Sequence, residues 1–234
     1  MSRPFLFVAL DDLAKDEIGT LASAEELILN VEEESFGFKG NLDYFLNPRI
    51  NLKSAVFNLQ QFGRPVFVDL KMWNGSRTMK SVLETLVKMG VDYTNVYALA
   101  DDLLPEAIRI TEGSKTRVLG LTVLTHFTES YCQRWFRRSL RETVRFSAEV
   151  ALERGCHGII LPGTTLEVVK DLQTIKLVPG VRDKWYKDAR HEEEVEPRAA
   201  VEQGADILVC GSPIMKDPDD KIAALKRVLS EMTV

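Results

Sequence analysis

Short runs of β-branched, aliphatic and aromatic residues alternate along the chain with longer segments in which apolar residues recur every three or four positions. Such runs predict strands, and the three-to-four spacing predicts amphipathic helices. Eight strands are predicted, over residues 5–10, 35–40, 65–70, 93–99, 117–124, 158–162, 176–180 and 206–211. Helical segments such as 78–90 and 140–155 lie between them, and Gly90 and Gly155 are predicted to cap these two helices at their carboxyl ends.

Eight strand–helix units in 234 residues predict an α/β fold, a (β/α)8 TIM barrel forming a single domain over residues 1–234. The alternation by itself would also allow a doubly wound sheet. No Pro-, Ser- or Gly-rich linker divides the chain, and 45% apolar composition is enough for one large core. A barrel is therefore the expected architecture.

Charge and composition narrow the class of partner. The formal net charge of −5 comes from 30 basic and 35 acidic residues spread along the chain, which argues against nucleic-acid and membrane-surface partners and favours a small molecule. No apolar stretch approaches the roughly 20 residues that cross a bilayer. The apolar run 5–10 leads directly into Asp11, as expected of a first strand and not of a signal peptide.

The cysteines indicate a reducing compartment. Cys132, Cys156 and Cys210 form no C-x-x-C motif and have no histidine at metal-ligand spacing, so reduced thiols in a cytoplasmic protein are expected and no metal site is predicted. Segment 131–146 mixes arginines with aromatic residues. An RNA-binding surface is one interpretation, but the acidic chain and the helical spacing favour an amphipathic helix with arginine stems over apolar groups.

Charged residues stand at the carboxyl ends of the predicted strands, which is the end of a (β/α)8 barrel that holds the active site. Asp69 and Lys71 stand two residues apart at the end of the third strand, so strand alternation puts them on one face and we expect them to touch. An ion pair that closes the barrel top is one interpretation. Asp11 after the first strand and Lys39 in the second favour a functional site, because four converging charges are costly to desolvate as packing.

Several segments carry a family resemblance. "VALDD", "FGFKGN", "VDLKMWNGSRT", "VLGLTVLT", "LVPGVR" and "ILVCGSPI" together resemble the orotidine 5′-monophosphate decarboxylase family over nearly the whole chain. The family's signature is D-x-K-x-x-D followed by Thr four residues later, and this chain has Asp69, Lys71, Asn74 and Thr78 at those positions.

The resemblance implies metal-free and cofactor-free decarboxylation of orotidine 5′-monophosphate to uridine 5′-monophosphate in pyrimidine biosynthesis. Asp69 would stand beside the leaving carboxylate and Lys71 would donate the proton, with Asn74 as the third catalytic position. Further implied contacts are Asp11 and Lys39 to the ribose, Thr125 to the pyrimidine edge, and Asn74 with Thr78 to the site of a neighbouring subunit. The last of these implies a homodimer.

The chain departs from the family pattern at three positions. Asn74 replaces the second aspartate, which removes a negative charge near Lys71. Ser212 stands where the family has an arginine that clamps the phosphate, and Tyr97 replaces a histidine.

The loop after strand seven offers a replacement for the phosphate clamp. It contains Arg182, Lys184, Lys187, Arg190 and His191, and Arg190 or His191 is the candidate. The alternative is a solvated loop whose positive charges are balanced by neighbouring aspartates. Pro179, Gly211 and Ser212 are also predicted to contact substrate, at the ends of strands seven and eight.

Two other functions stay open from the sequence. A sugar-phosphate decarboxylase or aldolase of the same suprafamily would normally need magnesium, and Lys39 stands where an acidic residue would favour a metal site. A barrel that binds nucleotide without catalysis is the non-enzymatic alternative, because Asn74 and Ser212 both remove charged groups.

Overall fold

The architecture is a closed barrel of eight parallel strands in chain order, each hydrogen-bonded to the next and β8 to β1. It is seen in a computed structural model that describes residues 4–10, 17–45, 51–182, 186, 195–217 and 220–233. The strands are β1 Phe5–Ala9, β2 Phe36–Asn41, β3 Val66–Met72, β4 Tyr93–Tyr97, β5 Arg117–Leu121, β6 Gly158–Ile160, β7 Ile175–Val178 and β8 Ile207–Cys210. The predicted barrel is confirmed, and the doubly wound alternative is excluded.

Helices follow the strands around the outside of the barrel. Their bounds are α1 Glu17–Asn30, α2 Leu42–Phe45, α3 Leu52–Gln60, α4 Ser76–Lys88, α5 Leu104–Thr111, α6 Glu129–Phe136, α7 Leu140–Glu153, α8 Pro197–Glu202, α9 Ser212–Met215 and α10 Lys221–Glu231, with 3-10 segments at Ala98–Leu103 and Gly163–Val169. Gly90 and Gly155 have φ of 66° and 89°. Both predicted glycine caps are therefore confirmed, because this left-handed conformation is easy only for glycine.

Segment 131–146 differs from the single amphipathic helix predicted for it. Arg137, with φ 56° and ψ 30°, ends α6 in the left-handed region. Ser139 then starts α7 with a capping box, in which its hydroxyl accepts from the Glu142 N–H and the Glu142 carboxylate accepts from the Ser139 N–H. The local cap outweighs the continuous helical spacing. The predicted stacking of arginine on apolar groups does occur, since the Arg138 guanidinium lies 4.1 Å from the Phe146 ring centroid.

The core has two layers because successive strand residues face opposite sides of the barrel wall. In β1, Leu6 and Val8 pack against the outer layer, whereas Phe7 faces the interior. The interior cluster consists of Phe7, Ala9, Phe67, Leu119, Leu121, Ile160, Leu177, Ile207 and Val209. These side chains fill the barrel, so a site for a small molecule must lie above them, at the carboxyl ends of the strands.

The helices of the described ranges include none that is long and apolar enough to cross a bilayer.

A glycine in β5 sets how closely the outer layer approaches the barrel. A Cβ atom at Gly120 would lie 2.4 Å from the Cβ of Ala151 in α7. We therefore expect Gly120→Ala to lower the free energy of unfolding by about 1–3 kcal/mol, the usual cost of overpacking. Chemical denaturation measures it, with Gly75→Ala as control because nothing lies within 4 Å of a Cβ there. Equal effects of the two substitutions would contradict the packing argument.

Candidate active site

A cavity of about 540 Å³ opens at the carboxyl end of the barrel. Its floor is the top of the interior apolar cluster, including Phe67, Ile160 and Val209. Its walls carry four charged side chains among the described residues, Lys39, Asp69, Lys71 and Arg182. The described lining residues therefore place one carboxylate and three cations above an apolar floor.

Asp69 is the centre of the charged group. It is 7% exposed, and its Oδ2 atom accepts hydrogen bonds from Lys39 Nζ at 3.0 Å and from Lys71 Nζ at 2.8 Å. The predicted contact between Asp69 and Lys71 is confirmed, and Lys39 from the neighbouring strand joins it. Lys39 is almost fully buried, whereas 37% of the Lys71 side chain is exposed towards the cavity. Lys71 is thus the ammonium that a ligand can reach.

The backbone around Lys71 is not the regular strand that the alternation argument assumed. Val68 pairs with Thr94 and Met72 with Val96, so β3 contains two more residues than β4 between these pairs. Lys71 itself has φ 49°, in the left-handed region that a residue with a side chain adopts at a cost. The two charged groups meet through this bulge, which the sequence pattern does not reveal.

Asn95 of β4 is a member of the site that the sequence reasoning missed. It is 1% exposed, its Nδ2 donates to Asp69 Oδ1 at 2.7 Å, and its Oδ1 accepts from the backbone N–H of Lys71 at 2.8 Å. A signal was present in the sequence. Alternation in "YTNVY" puts Asn95 on the inward face with Tyr93 and Tyr97, at a position that a packed barrel would fill with an apolar residue.

The surroundings keep Asp69 ionised. Burial raises the pKa of its carboxyl group, but the ammonium groups of Lys39 and Lys71 and the hydrogen bonds from Lys71 and Asn95 outweigh burial and hold that pKa well below its usual range. The carboxylate is therefore negative at neutral pH. Within the described ranges, no three His, Cys, Asp or Glu side chains form a group that could hold a metal ion.

The opposite wall of the cavity contains the residues predicted to contact the rest of the substrate. Thr125, Pro179, Gly211 and Ser212 all line it. Arg182, which the sequence offered only as one of several basic residues in its loop, lines it too and is 6% exposed. Its backbone N–H donates to Val195 O at 3.1 Å, which ties the start of the loop to the segment before α8.

Other predicted positions are not brought to this cavity. Asn74 and Thr78 are exposed, and neither belongs to the described residues that line it. They lie beyond β3, where Trp73 is 58% exposed and its ring centroid is 6.3 Å from that of Tyr97. Asp11, Arg190 and His191 fall outside the described residues.

Comparison with known proteins identifies the family. The family model described as "Orotidine 5'-phosphate decarboxylase / HUMPS family" matches residues 4–228. Proteins named orotidine 5'-phosphate decarboxylase from two strains of Streptococcus pneumoniae are similar to the chain, one with 29% identity over 97% of this chain and 95% of the relative, another with 31% over 91% of each.

Solved structures share the fold. The orotidine 5'-phosphate decarboxylase of Lactobacillus acidophilus superposes with a TM-score of 0.77 at 22% identity, covering 100% of both chains. That of Pyrococcus horikoshii OT3 gives 0.74 at 18% identity, covering 98% of this chain and 100% of the other. The barrel fold, the residues in the mouth of the barrel and the match of the family model over residues 4–228 show that the chain belongs to the orotidine 5'-phosphate decarboxylase / HUMPS family.

Proposed function

We propose that this protein, acting as one barrel domain over residues 1–234, decarboxylates orotidine 5′-monophosphate to uridine 5′-monophosphate in pyrimidine synthesis. The observation that carries the proposal is the Asp69 carboxylate held between two ammonium groups at the apolar floor of a cavity. Family membership and the names of the sequence relatives support the same reaction.

The charge of the cavity suits this substrate. Orotidine 5′-monophosphate carries a carboxylate on its ring and a phosphate at the other end. Three cations and one carboxylate among the described lining residues leave an excess of positive charge in the cavity. Lys39 and Lys71 stand at the Asp69 end and Arg182 in the loop after β7, so positive charge is available for both anionic ends.

The proposed chemistry uses Lys71 as the acid. The bond between the ring carbon and the carboxylate breaks, CO2 leaves, and the electron pair stays on the ring carbon. The Lys71 ammonium stabilises that pair as it develops and then transfers a proton to the carbon, after which water restores the proton on Lys71. Preorganised charge of this kind is commonly the largest single contribution to catalysis.

Asp69 has two tasks in this scheme. Its contacts with Lys39 and Lys71 fix the position of the Lys71 ammonium, which is the proposed proton donor. Its own negative charge would lie beside the substrate carboxylate, a repulsion that disappears as CO2 departs. An interaction that is less unfavourable in the transition state than in the ground state accelerates the reaction.

A metal-dependent reaction of the suprafamily fits the residues less well. Lys39 and Lys71 both donate to the same Asp69 oxygen, and two ammonium groups within 3.0 Å of that atom repel a divalent cation. Turnover of orotidine 5′-monophosphate should therefore be the same with and without a chelator. Binding of uridine 5′-monophosphate without any turnover would instead support the non-catalytic barrel.

We also propose a homodimer in which Asn74 and Thr78 reach the site of the neighbouring subunit. Both residues are exposed and lie away from the cavity of their own chain. Trp73, Tyr131 and Trp135 are large apolar side chains with exposed fractions of 58%, 39% and 66%. Trp73 neighbours Asn74 directly, so burial of this aromatic residue against a second copy would carry Asn74 towards the partner.

The first functional prediction tests the acid. Lys71→Ala should lower kcat on orotidine 5′-monophosphate by more than about a hundredfold, because general acid catalysis alone contributes about that much. Binding of uridine 5′-monophosphate, measured by calorimetry, should persist. Lys80→Ala is the matched control, since Lys80 is an exposed lysine on α4 that faces Glu84. A folded Lys71→Ala protein that keeps more than about a hundredth of the rate would rule out the assigned role.

The second prediction concerns the phosphate end. Arg182→Ala should weaken binding of uridine 5′-monophosphate by about 2 kcal/mol, the usual loss for a charge-assisted contact, and leave binding of uridine nearly unchanged. Arg198→Ala, an exposed arginine of α8, is the control. Equal weakening of both ligands would show that Arg182 does not read the phosphate. Arg190→Ala in the same titration tests the arginine predicted from the sequence.

The third prediction tests the shared site. Lys71→Ala protein and an Asn74→Ala/Thr78→Val double variant should each turn over slowly. Mixed after partial unfolding and refolding, they should regain activity, because one site of each mixed dimer contains an intact Lys71 and an intact partner contribution. A mixture of Lys71→Ala with Asp69→Ala should stay inactive, since both changes fall in the same subunit's part of the site. No recovery in the first mixture, or a monomer by sedimentation, contradicts the dimer proposal.

A further inference from the structure

We infer that Asn95 is a positioning residue for the reaction, whose side-chain amide holds the Asp69 carboxylate and the Lys71 backbone in their working arrangement. This inference rests on the proposed decarboxylation. Asn95 sits beneath the charged group at the inward face of β4 and is 1% exposed.

The backbone of Lys71 depends on Asn95 for a hydrogen-bond acceptor. Between the pairs Val68 with Thr94 and Met72 with Val96 the ladder of β3 and β4 is interrupted, so backbone N–H groups in the interval need other acceptors. The Lys71 N–H finds Asn95 Oδ1 at 2.8 Å. The same residue has φ 49°, a conformation that persists only where the surroundings hold it. The amide oxygen supplies one such restraint.

Asn95 also sets the orientation of the Asp69 carboxylate. Asn95 Nδ2 donates to Asp69 Oδ1 at 2.7 Å, which turns Oδ2 towards the ammonium groups of Lys39 and Lys71. A carboxylate can only accept and a backbone N–H can only donate, so the partner between them must offer a donor and an acceptor together. A primary amide does this in a single orientation. One side chain thereby ties both functional residues of the bulge to the rigid β4.

Replacements separate these two contributions. Asn95→Asp keeps the size and the acceptor, but it loses the donor and adds a negative charge beside Asp69. Asn95→Leu is similar in size and loses both hydrogen bonds. Asn95→Asp loosens the Asp69 carboxylate that holds the Lys71 ammonium, and Asn95→Leu also releases the Lys71 backbone. A misplacement of the ammonium by about 1 Å costs on the order of a hundredfold in rate.

Thr94 offers a matched control on the same strand. It is fully buried, and its hydroxyl donates to Val68 O at 2.9 Å, so it also links β4 to β3 through a buried hydrogen bond. It belongs to the outward face of β4, away from the cavity. Thr94→Val removes a buried β3–β4 link without touching Asp69 or Lys71, and it reports the effect of a purely structural contact.

The experiment compares kcat, KM, melting temperature and the pH–rate profile of the parent, Asn95→Asp, Asn95→Leu and Thr94→Val proteins on orotidine 5′-monophosphate. Both Asn95 variants should lose on the order of a hundredfold in kcat with a much smaller change in KM. Thr94→Val should keep the parent kcat even where its melting temperature falls. The Asn95→Asp variant provides the test should the leucine variant fail to fold.

The pH profile adds a readout that a structural role would not move. The groups that act on Asp69 are Lys39 from β2, Lys71 from β3 and the Tyr97 ring from β4, whose pKa is raised by burial and by Asp69. A second carboxylate at position 95 raises the pKa of Asp69, so in Asn95→Asp kcat/KM should fall at acidic pH values at which the parent and Thr94→Val proteins keep theirs.

The outcomes separate the two proposals. A parent protein without turnover overturns the decarboxylation and the role of Asn95 with it. An active parent, with Asn95 variants that retain its kcat and its kcat/KM at acidic pH, overturns the role of Asn95 alone. Loss of kcat in Thr94→Val equal to that in the Asn95 variants would reduce Asn95 to one of several structural contacts between the strands.

Discussion

The sharing of one Asp69 oxygen by two ammonium groups is the interaction on which the rest of the site depends. Burying Asp69 and Lys39 beside Lys71 is costly, and the mutual attraction of the charges together with their hydrogen bonds offsets that cost. Lys39 and Lys71 satisfy one oxygen and Asn95 the other. Removing the carboxylate would leave Lys39 buried beside another cation, so the arrangement of Lys39 and Lys71 depends on Asp69.

The barrel places three of the interacting residues side by side, because they come from adjacent strands. Lys39, Asp69 and Asn95 are inward residues of β2, β3 and β4, at the level where apolar filling gives way to the cavity. The strands below are packed on both faces, by the interior cluster and by the outer layer, and this packing fixes the floor of the cavity. The loops after β5, β7 and β8 contribute the opposite wall and leave it free to differ in chemistry.

Much of this could be read from the sequence, because burial imposes a pattern on it. All eight predicted strands are present, and the predicted contact of Asp69 with Lys71 occurs, although it forms through the bulge in β3 and not through regular strand alternation. Alternation in β4 places Asn95 on the inward face, but its partners depend on a bulge between β3 and β4, which is a property of two strands together and leaves no periodicity in either. The prediction of one helix over residues 131–146 was wrong because the local cap at Ser139 outweighs a helical spacing that continues through it.

The aromatic packing beneath the site has a consequence for ionic screening. Phe7 contacts Phe67 and Tyr93 with ring centroids 5.5 Å apart in each case, directly below the strand positions that carry the charges. Neither water nor dissolved ions can enter from that side, so the field of the charged group is weakened by salt only through the open mouth. A substrate that fills the mouth closes this last route. The electric field of Lys39, Asp69 and Lys71 is therefore screened less when a substrate is bound than when the cavity is open to the solvent.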